Sequence, residues 1–331
     1  MKPLTHHVLM LLADGGFRSG EAMAHALGVS RARVWGAVRE LGATGLELYR
    51  VRGRGYRLVQ PLSLLDATAI ERALSVRSGR ITVEVVDSIE STNGALMQRA
   101  QQGAQGPAAL AAEWQSAGRG RQGRAWLASV GGALTFSVLW RFARGANDLA
   151  GLSLAVGAAV GRALEALGGV EIGLKWPNDI VWRGQKLAGI LIELHGDILG
   201  PTAAVIGIGV NVRLADHVKR SIDQPATDLE TACGASVDRN RALACLLDGL
   251  VPALDEFARE GFAPFRAEWI ARHVHQDRPV TVLLPDARRE RGVARGVAED
   301  GALLVETQRG MRRFHSGAVS VRSAAGKRVG A

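Results

Sequence analysis

At 331 residues the chain exceeds one typical domain, so two or three domains sharing a sizeable core are expected. Its net charge of +9 is uneven: Lys and Arg stand 9 to 4 against Asp and Glu over residues 1–60, 21 to 22 over residues 61–276, and 11 to 6 over residues 277–331. Only two cysteines, Cys233 and Cys245, occur, which excludes a disulfide framework and a zinc quartet and points to a reduced, cytoplasmic setting with both thiols as small core residues.

The opening residues 1–7 precede an apolar segment that stops at Gly15-Gly16. It is too short to span a bilayer and lacks a small-residue cleavage site, so no membrane partner is expected. Thr5 is placed to cap a first helix with Val8, Leu9, Leu11 and Leu12 inward. Residues 19–30 then carry Ala22, Met23, Ala26 and Leu27 on one stripe and Gly28 at a sharp turn. Ser30 follows as the cap of a third helix, with Val34, Val38 and Leu41 inward. This is a helix-turn-helix pattern. Arg31, Arg33 and Arg39 fall off the inward face, the first two at the helix start, where recognition helices present side chains to base edges. Residues 47–51 and 55–59 read as a hairpin around Arg52-Gly-Arg54, a basic wing. DNA binding through Ser30, Arg31, Arg33, Arg39, Arg52 and Arg54 is favoured because helix pair, glycine turn and basic hairpin coincide. The alternative is a three-helix interaction module with merely solvated arginines. Pro61 marks the exit to a linker.

Residues 81–86 predict a strand that leads to Ser91, Thr92 and Asn93 at the start of a helix running to Gln102. Hydroxyls and backbone N–H groups at such a junction can face a ligand, and simple helix capping would explain one of them equally well. Next, two apolar strand candidates, residues 108–112 and 133–139, flank residues 115–126. That stretch packs Gly118, Gly120 and Gly123 among Arg119, Arg121 and Arg124 between Trp114 and Trp126. Uncovered backbone N–H groups beside planar guanidinium forks make a flexible loop suited to clamp phosphate and carboxylate. The glycine spacing formally matches a dinucleotide loop, but no helix follows directly and no acidic residue stands roughly 20 positions on. A kinase reading lacks its H-R-D and D-F-G. An RNA-binding Arg/Gly tract would not be embedded between core strands.

Residues 151–167 are apolar yet carry Arg162 and Glu165, so they predict a buried helix rather than a membrane span. Lys175 interrupts an apolar strand ahead of a Pro177-Asn178-Asp179 turn, Lys186 heads a strand with Gly189 inside it, and residues 204–211 form a third glycine-bearing strand ending at Asn211. Singly each lysine reads as a surface residue; together the three strands point to a shared pocket. Residues 240–260 and 262–271 predict amphipathic helices that close this domain. Beyond Pro279, the runs 280–284, 291–298, 302–305 and 318–321 alternate with glycine and acidic turns, as in a small β-barrel. Its basic excess serves an acidic carrier or nucleotide, or is a solvated surface.

The loop GRGRQGRAW, the motif KWPNDI, the strand KLAGILIE, the STN junction and GIGVN together resemble the biotin protein ligases. With the N-terminal module added, the chain resembles the bifunctional biotin ligase and biotin operon repressor family over nearly its whole length. The resemblance implies an α+β fold: a winged helix-turn-helix over residues 1–62, a mixed α/β biotin/lipoate ligase-like domain over 63–276, and an SH3-like β-barrel over 277–331. It implies biotin–[acetyl-CoA-carboxylase] ligase activity, with ATP and Mg2+, through biotinyl-5′-adenylate to a lysine of a biotin carboxyl carrier protein domain. It also implies repression as a homodimer on operator DNA when the adenylate is bound, with the arginine loop and residues 207–211 ordering around that ligand.

Matched residue by residue, Ser91, Thr92, Asn93 and Gln115 fall on biotin-binding positions, as do Arg119, Gly120, Arg121 and Lys186. Gly118, Arg121, Arg124 and Trp126 fall around the nucleotide, with Lys175, Asn178 and Asn211. Lys186, Arg121 and Lys175 would carry catalysis; no set of metal ligands follows. Gln122 stands where the better-known repressors have a further arginine, which implies altered retention of the intermediate. Residues 213–233 match no motif, so the residue covering the adenine stays unassigned. The chemistry agrees independently: activating a carboxylate with ATP joins two anions, which asks for positioned cations more than for a general base. A lipoate-type ligase would need less of the polarity offered by Ser91, Thr92 and Gln115, and a non-catalytic sensor would not need the full cation set.

Overall fold

The computed structural model describes residues 1–75, 78–286, 288–316 and 320–323. The N-terminal module consists of α1 (Pro3–Leu12), α2 (Gly20–Ala26), α3 (Arg31–Ala43) and a hairpin of β1 (Leu48–Val51) and β2 (Gly55–Leu58). Pro3, not Thr5, begins α1: Thr5 lies one turn in, buried, with its hydroxyl donating to Glu40 at 2.8 Å. Ser19 and Ser30 cap α2 and α3 by accepting the Ala22 and Arg33 amides. On α2 the inward residues are Met23 and Ala24 with Leu27, while Ala22 and Ala26 are exposed, because residues one position along the 3.6-residue turn meet α1 and α3. The wing is held to the body by Arg18 and Tyr56, which exchange backbone hydrogen bonds of 2.8 and 2.9 Å.

The linker beyond Pro61 is gripped rather than loose. Asn240 donates to Leu64 O at 3.0 Å and accepts from Asp66 N at 2.8 Å, and buried Glu113 accepts the Leu65 amide while pairing with Arg239 at 2.7 Å.

The central region contains α4 (Ala67–Ala73), β3 (Thr82–Ile89), α5 (Thr92–Gln101), β4 (Ala108–Gln115), β5 (Ala133–Phe142), α6 (Leu152–Gly168), β6 (Gly173–Lys175) and β7 (Asp179–Trp182). It continues through β8 (Gln185–Gly196), β9 (Thr202–Asn211), α7 (Asp216–Ser221), α8 (Leu229–Cys233), α9 (Arg239–Glu260) and α10 (Ala263–Ala271). Seven strands form one sheet in the order β3-β4-β5-β9-β8-β7-β6; β3 and β4 are parallel, joined through α5, and the other pairs are antiparallel. Residues 146–168 are long and apolar enough to cross a membrane by length and composition, but α6 packs Val156, Val160 and Leu164 into the core against α9.

Strand alternation divides the sheet into two faces. Along β5, Leu134, Phe136, Val138, Trp140 and Phe142 join the core with α6 and α9; Thr135 and Ser137 point the other way. Along β9, Ala204, Ile206, Ile208 and Val210 follow the first pattern, which leaves Gly207, Gly209 and Asn211 on the second face with α5. Residues 207–211, expected to order only around a ligand, are thus the C-terminal half of β9, paired with β5 throughout and with β8 as far as Val210.

The C-terminal strands β10 (Pro279–Leu283), β11 (Arg289–Val297), β12 (Leu303–Thr307), β13 (Gly310–Phe314) and β14 (Ser320–Ser323) form a small antiparallel sheet in the order β13-β12-β11-β10-β14. No pairing closes β13 onto β14 among the described residues, so what is seen of the expected barrel is an all-β sheet. The strand β13 has no counterpart in the sequence reading: only Phe314 is buried, and exposed Met311 followed by Arg312 and Arg313 gives no apolar alternation. Ala318 and Val319, expected to begin the last strand, lie outside the described residues. Val280, Val297, Leu303 and Val305 belong to the same core as the central sheet. Cys233 and Cys245 are free thiols packed at the edge of that core, and burial pushes both up in pKa.

Candidate functional site

Where β3 meets α5, Ser91 caps the helix by accepting the Gly94 amide at 3.3 Å, and its two neighbours enter a polar chain. The Thr92 amide donates to Gln115 Oε1 at 2.7 Å, and the Thr92 hydroxyl lies 2.6 Å from that of Ser137. Ser137 donates to Asn93 Oδ1 at 2.6 Å; Asn93 Nδ2 donates to Glu193 Oε2 at 2.8 Å and to Leu191 O at 3.3 Å. Glu193 also faces Arg119 at 3.3 Å. Helix capping accounts for Ser91, and the remaining groups form a preorganised wall of donors and acceptors. Ser137 and Glu193 were not singled out from sequence, although a hydroxyl pair two apart in an apolar strand and a carboxylate ending KLAGILIE were visible signals.

The β6–β7 hairpin places Lys175 opposite Asp179, and Lys186 enters beside them from β8. Lys186 Nζ is 2.6 Å and Lys175 Nζ 3.6 Å from the two oxygens of Asp179, all three groups being largely shielded from solvent. Two lysines sharing one carboxylate leave a net positive charge, and unpaired cations would be costly to hold in such a setting. Asp179, one position beyond the anticipated Asn178, is therefore the counter-ion that sequence reasoning missed. Asn178 bridges by donating to Ile190 O at 2.7 Å and accepting from Arg121 at 3.2 Å.

The arginine loop is folded on itself. Gly120 N donates to Arg124 O at 2.7 Å and Trp126 N to Gly118 O at 2.8 Å, around a tip where Gln122 and Gly123 have φ of 58° and 71°. Trp126 lies on Gly189 and Gly209: a Cβ on Gly209 would stand 2.4 Å from the indole, and one on Gly189 3.2 Å from it. These glycines, paired with each other across β8 and β9, make a flat seat. On Gly118 a Cβ would stand 2.9 Å from Trp126 O. Lys186 Nζ is 5.7 Å from the Trp126 ring centroid, and the buried indole N–H has no partner among the described residues. Arg121, whose pKa burial pushes down, donates to Asn178 and to Ser316 O of the C-terminal sheet. Arg124 donates to Gln122 Oε1 at 3.0 Å.

These groups line one cavity of about 830 Å³. Its far wall comes from residues 221–226, His275, Arg278 and the end of β14, none of which sequence reasoning assigned. Pro225 O accepts the Lys186 amide at 2.9 Å, which ties that wall to β8. Burial, then Lys175 and Arg278, holds His275 at about 4. Asn211 reaches the cavity, but its amide is spent inside the protein, donating to Thr227 O at 3.0 Å and Lys186 O at 3.4 Å. Every residue anticipated for biotin and nucleotide lines this cavity except Gly118, which lies beneath Trp126.

On the N-terminal module, Arg31, Arg33 and Arg39 stand exposed on α3, and Arg52 and Arg54 on the wing. The Arg54 guanidinium lies 4.3 Å over the Phe17 ring. The module packs on Trp114 and Val130, either side of the arginine loop.

Comparison with known proteins agrees with this arrangement. The Biotin/lipoate A/B protein ligase family matches residues 85–211, an HTH domain matches residues 4–57, and the Biotin protein ligase C terminal domain matches residues 275–322. The Bifunctional ligase/repressor BirA of Salmonella typhimurium is 38% identical over 322 residues, 97% of this chain and 98% of that protein. The protein of the same name from Escherichia coli K12 is 37% identical over 96% of this chain and 97% of its own length. Among solved structures, the biotin protein ligase from Aquifex aeolicus in complex with biotin and ATP superposes with a TM-score of 0.63 at 29% identity, covering 73% of this chain and 99% of that one. Near-full-length likeness, with helix-turn-helix, ligase and C-terminal parts in the same order, places the chain in the bifunctional biotin ligase and repressor family.

Proposed function

We propose that the chain joins biotin to a lysine of a biotin carboxyl carrier protein domain at the expense of ATP, and that the same intermediate governs its binding to operator DNA. One observation carries the ligase reading: a single cavity unites a neutral polar wall, Thr92–Ser137–Asn93, with the cations Lys175, Lys186, Arg119 and Arg121. The wall suits a bicyclic urea, with Ser91 and Gln115 at its edge, and the cations suit a carboxylate meeting a triphosphate.

A biotin carboxylate oxygen attacks the α-phosphorus of ATP and pyrophosphate leaves, giving biotinyl-5′-adenylate; the acceptor lysine amine then attacks the carbonyl, AMP leaves, and a proton is released. Lys186 steers the carboxylate against Asp179. Lys175, Arg121 and Arg124 balance charge developing at phosphorus, and Asn178 orients Arg121. Gly118 and Gly120 let the loop backbone approach, Trp126 offers its indole N–H, and Asn211 holds the Lys186 backbone in place. Mg2+ is assigned to the phosphates of ATP: among the described residues no three His, Cys, Asp or Glu side chains cluster to hold it, and the oxygens of Asp179 face lysines. Both cysteines stay reduced in a cytoplasmic setting.

For the repressor half, a single helix-turn-helix contacts few bases, so a two-fold dimer on a palindromic site is the natural control point. Ordering the arginine loop costs roughly 1–2 kcal/mol per residue, which bound adenylate would already have met. Incubation with ATP, an acceptor domain and either biotin or lipoate tests the chemistry by mass spectrometry. A biotinyl adduct on the acceptor lysine is expected; a lipoyl adduct alone, or none, would remove the ligase reading. Sedimentation and DNA titration with and without adenylate test the repressor half, which unchanged self-association and DNA affinity would remove.

A further inference from the structure

The exposed side of α3 carries a residue that phosphate binding does not require. Arg31, Trp35 and Arg39 are spaced four apart and so form one stripe along the helix, while Val34, Ala37 and Leu41 hold the opposite stripe in the module's core. Trp35 is 44% exposed. Its ring lies under the Arg39 guanidinium, 4.9 Å from centroid to Cζ, which limits where the indole can swing. Gly36, the next residue, has nothing within 4 Å of where a Cβ would stand, although a mid-helix glycine costs about 1 kcal/mol relative to alanine. That choice keeps the helix slim beside the indole and leaves room for a second surface to come close.

Charge indicates what that surface is. Arg39 covers the ring, Arg31 stands one turn before it on the same stripe, Arg33 is exposed elsewhere on the helix, and Glu40, the acid of α3, turns away to take the Lys2 amide and the Thr5 hydroxyl. A polyanion is the complementary partner, and it must offer an apolar group to meet the indole. The major groove of a DNA duplex does so: phosphates line its rims, and the C5 methyl of thymine is the apolar group among its base edges. Resting on the operator-binding reading above, we propose that Trp35 reads sequence by seating its ring against a thymine methyl in the major groove, with Arg39 as the positioning residue that holds the ring.

The test uses the full chain loaded with adenylate. Duplexes are enriched from a random pool, and each thymine of an enriched half-site is replaced in turn by uracil, which removes the methyl alone. Burying one methyl predicts a loss of roughly three- to fivefold in affinity at one thymine per half-site. Trp35→Ala should bind the thymine duplex correspondingly less well and lose the thymine-to-uracil difference at that position, whereas Trp35→Phe should keep part of it. Both variants should form adenylate at the rate of the unaltered chain; should Trp35→Ala fail to fold, the phenylalanine variant and the uracil scan still decide. Continued discrimination by Trp35→Ala, or a scan in which no thymine matters, would overturn the inference and leave DNA binding standing. A pool that enriches no duplex would instead overturn the operator reading, and this inference with it.

Discussion

Around the cavity Lys186 and Arg119 are set against carboxylates, 2.6 Å from Asp179 and 3.3 Å from Glu193, whereas on α3 and the wing Arg39 and Arg54 lie over the rings of Trp35 and Phe17. For Lys186 the difference follows from burial, its side chain being 19% exposed where that of Arg119 is 48%. A cation drawn into a cleft is costly without a counter-charge, so Lys175 and Lys186 are held by Asp179 until a stronger anion arrives. A guanidinium stacked on a ring stays hydrated and keeps its full charge for an outside polyanion. The cleft thus selects a ligand that brings several negative charges in one geometry, while the module attracts duplex phosphates broadly and depends on base contacts for selection.

Breaking the cleft arrangement should give the largest effect. In Lys186→Ala, Asp179 keeps only the longer contact to Lys175, and a charge needed in the transition state is gone. Adenylate formation, followed as pyrophosphate release in a single turnover, should fall by 100- to 1,000-fold, on the order of 3–4 kcal/mol. Near-normal turnover would make Lys186 a structural partner of Asp179 and nothing more. Arg121→Ala should come next. Its contacts to Asn178 and Ser316 join loop, cleft and C-terminal sheet, so the adenylate should dissociate faster, by an amount equivalent to roughly 2–4 kcal/mol, with a smaller change for biotin alone. Equal dissociation rates in mutant and unaltered chain would remove Arg121 from ligand retention.

How far the cleft was legible depends on which contacts are local. Lys175, Asn178 and Lys186 announced themselves as polar breaks in apolar strands, and Gly189 as a strand glycine. Glu193 and Ser137 did not, because their partners are 74 and 44 residues away and only the sheet register brings them together. On the module the helices, turn and wing followed from short-range periodicity. The cap of α1 was misplaced because Pro3 pre-sets the helix earlier and draws Thr5 inside to meet Glu40.

The exposed arginines of the module should respond to salt more than the shielded cleft does. Arg33→Ala should weaken DNA binding several-fold for all sequences alike and reduce the slope of log affinity against log salt by about 0.9, leaving ligation untouched. An unchanged slope would mean that Arg33 does not meet a phosphate.

The last effect concerns pH. Burial holds His275 at about 4 and His273 at about 3, so both rings are neutral in the folded chain near pH 6 while an unfolded chain would bind protons there. Their contribution is fully present above pH 6.5 and is lost as pH falls towards 4. His275→Phe should flatten that acid loss by on the order of 2 kcal/mol, read as the pH dependence of the denaturation midpoint. The same slope in both proteins would show that His275 is as readily protonated folded as unfolded.

The sequence by itself determined the helix-turn-helix, the arginine–glycine loop, the lysine-headed strands and the all-β end, because periodicity, turn residues and motif spacing act between near neighbours. Only the tertiary structure decided that Gly189 pairs with Gly209 to seat Trp126, that Asp179 lies between two lysines, and that Arg121 reaches Ser316 of the C-terminal sheet. Those contacts depend on strand register and on domains docking through a shared core, and such long-range geometry is set by the packing of the whole chain.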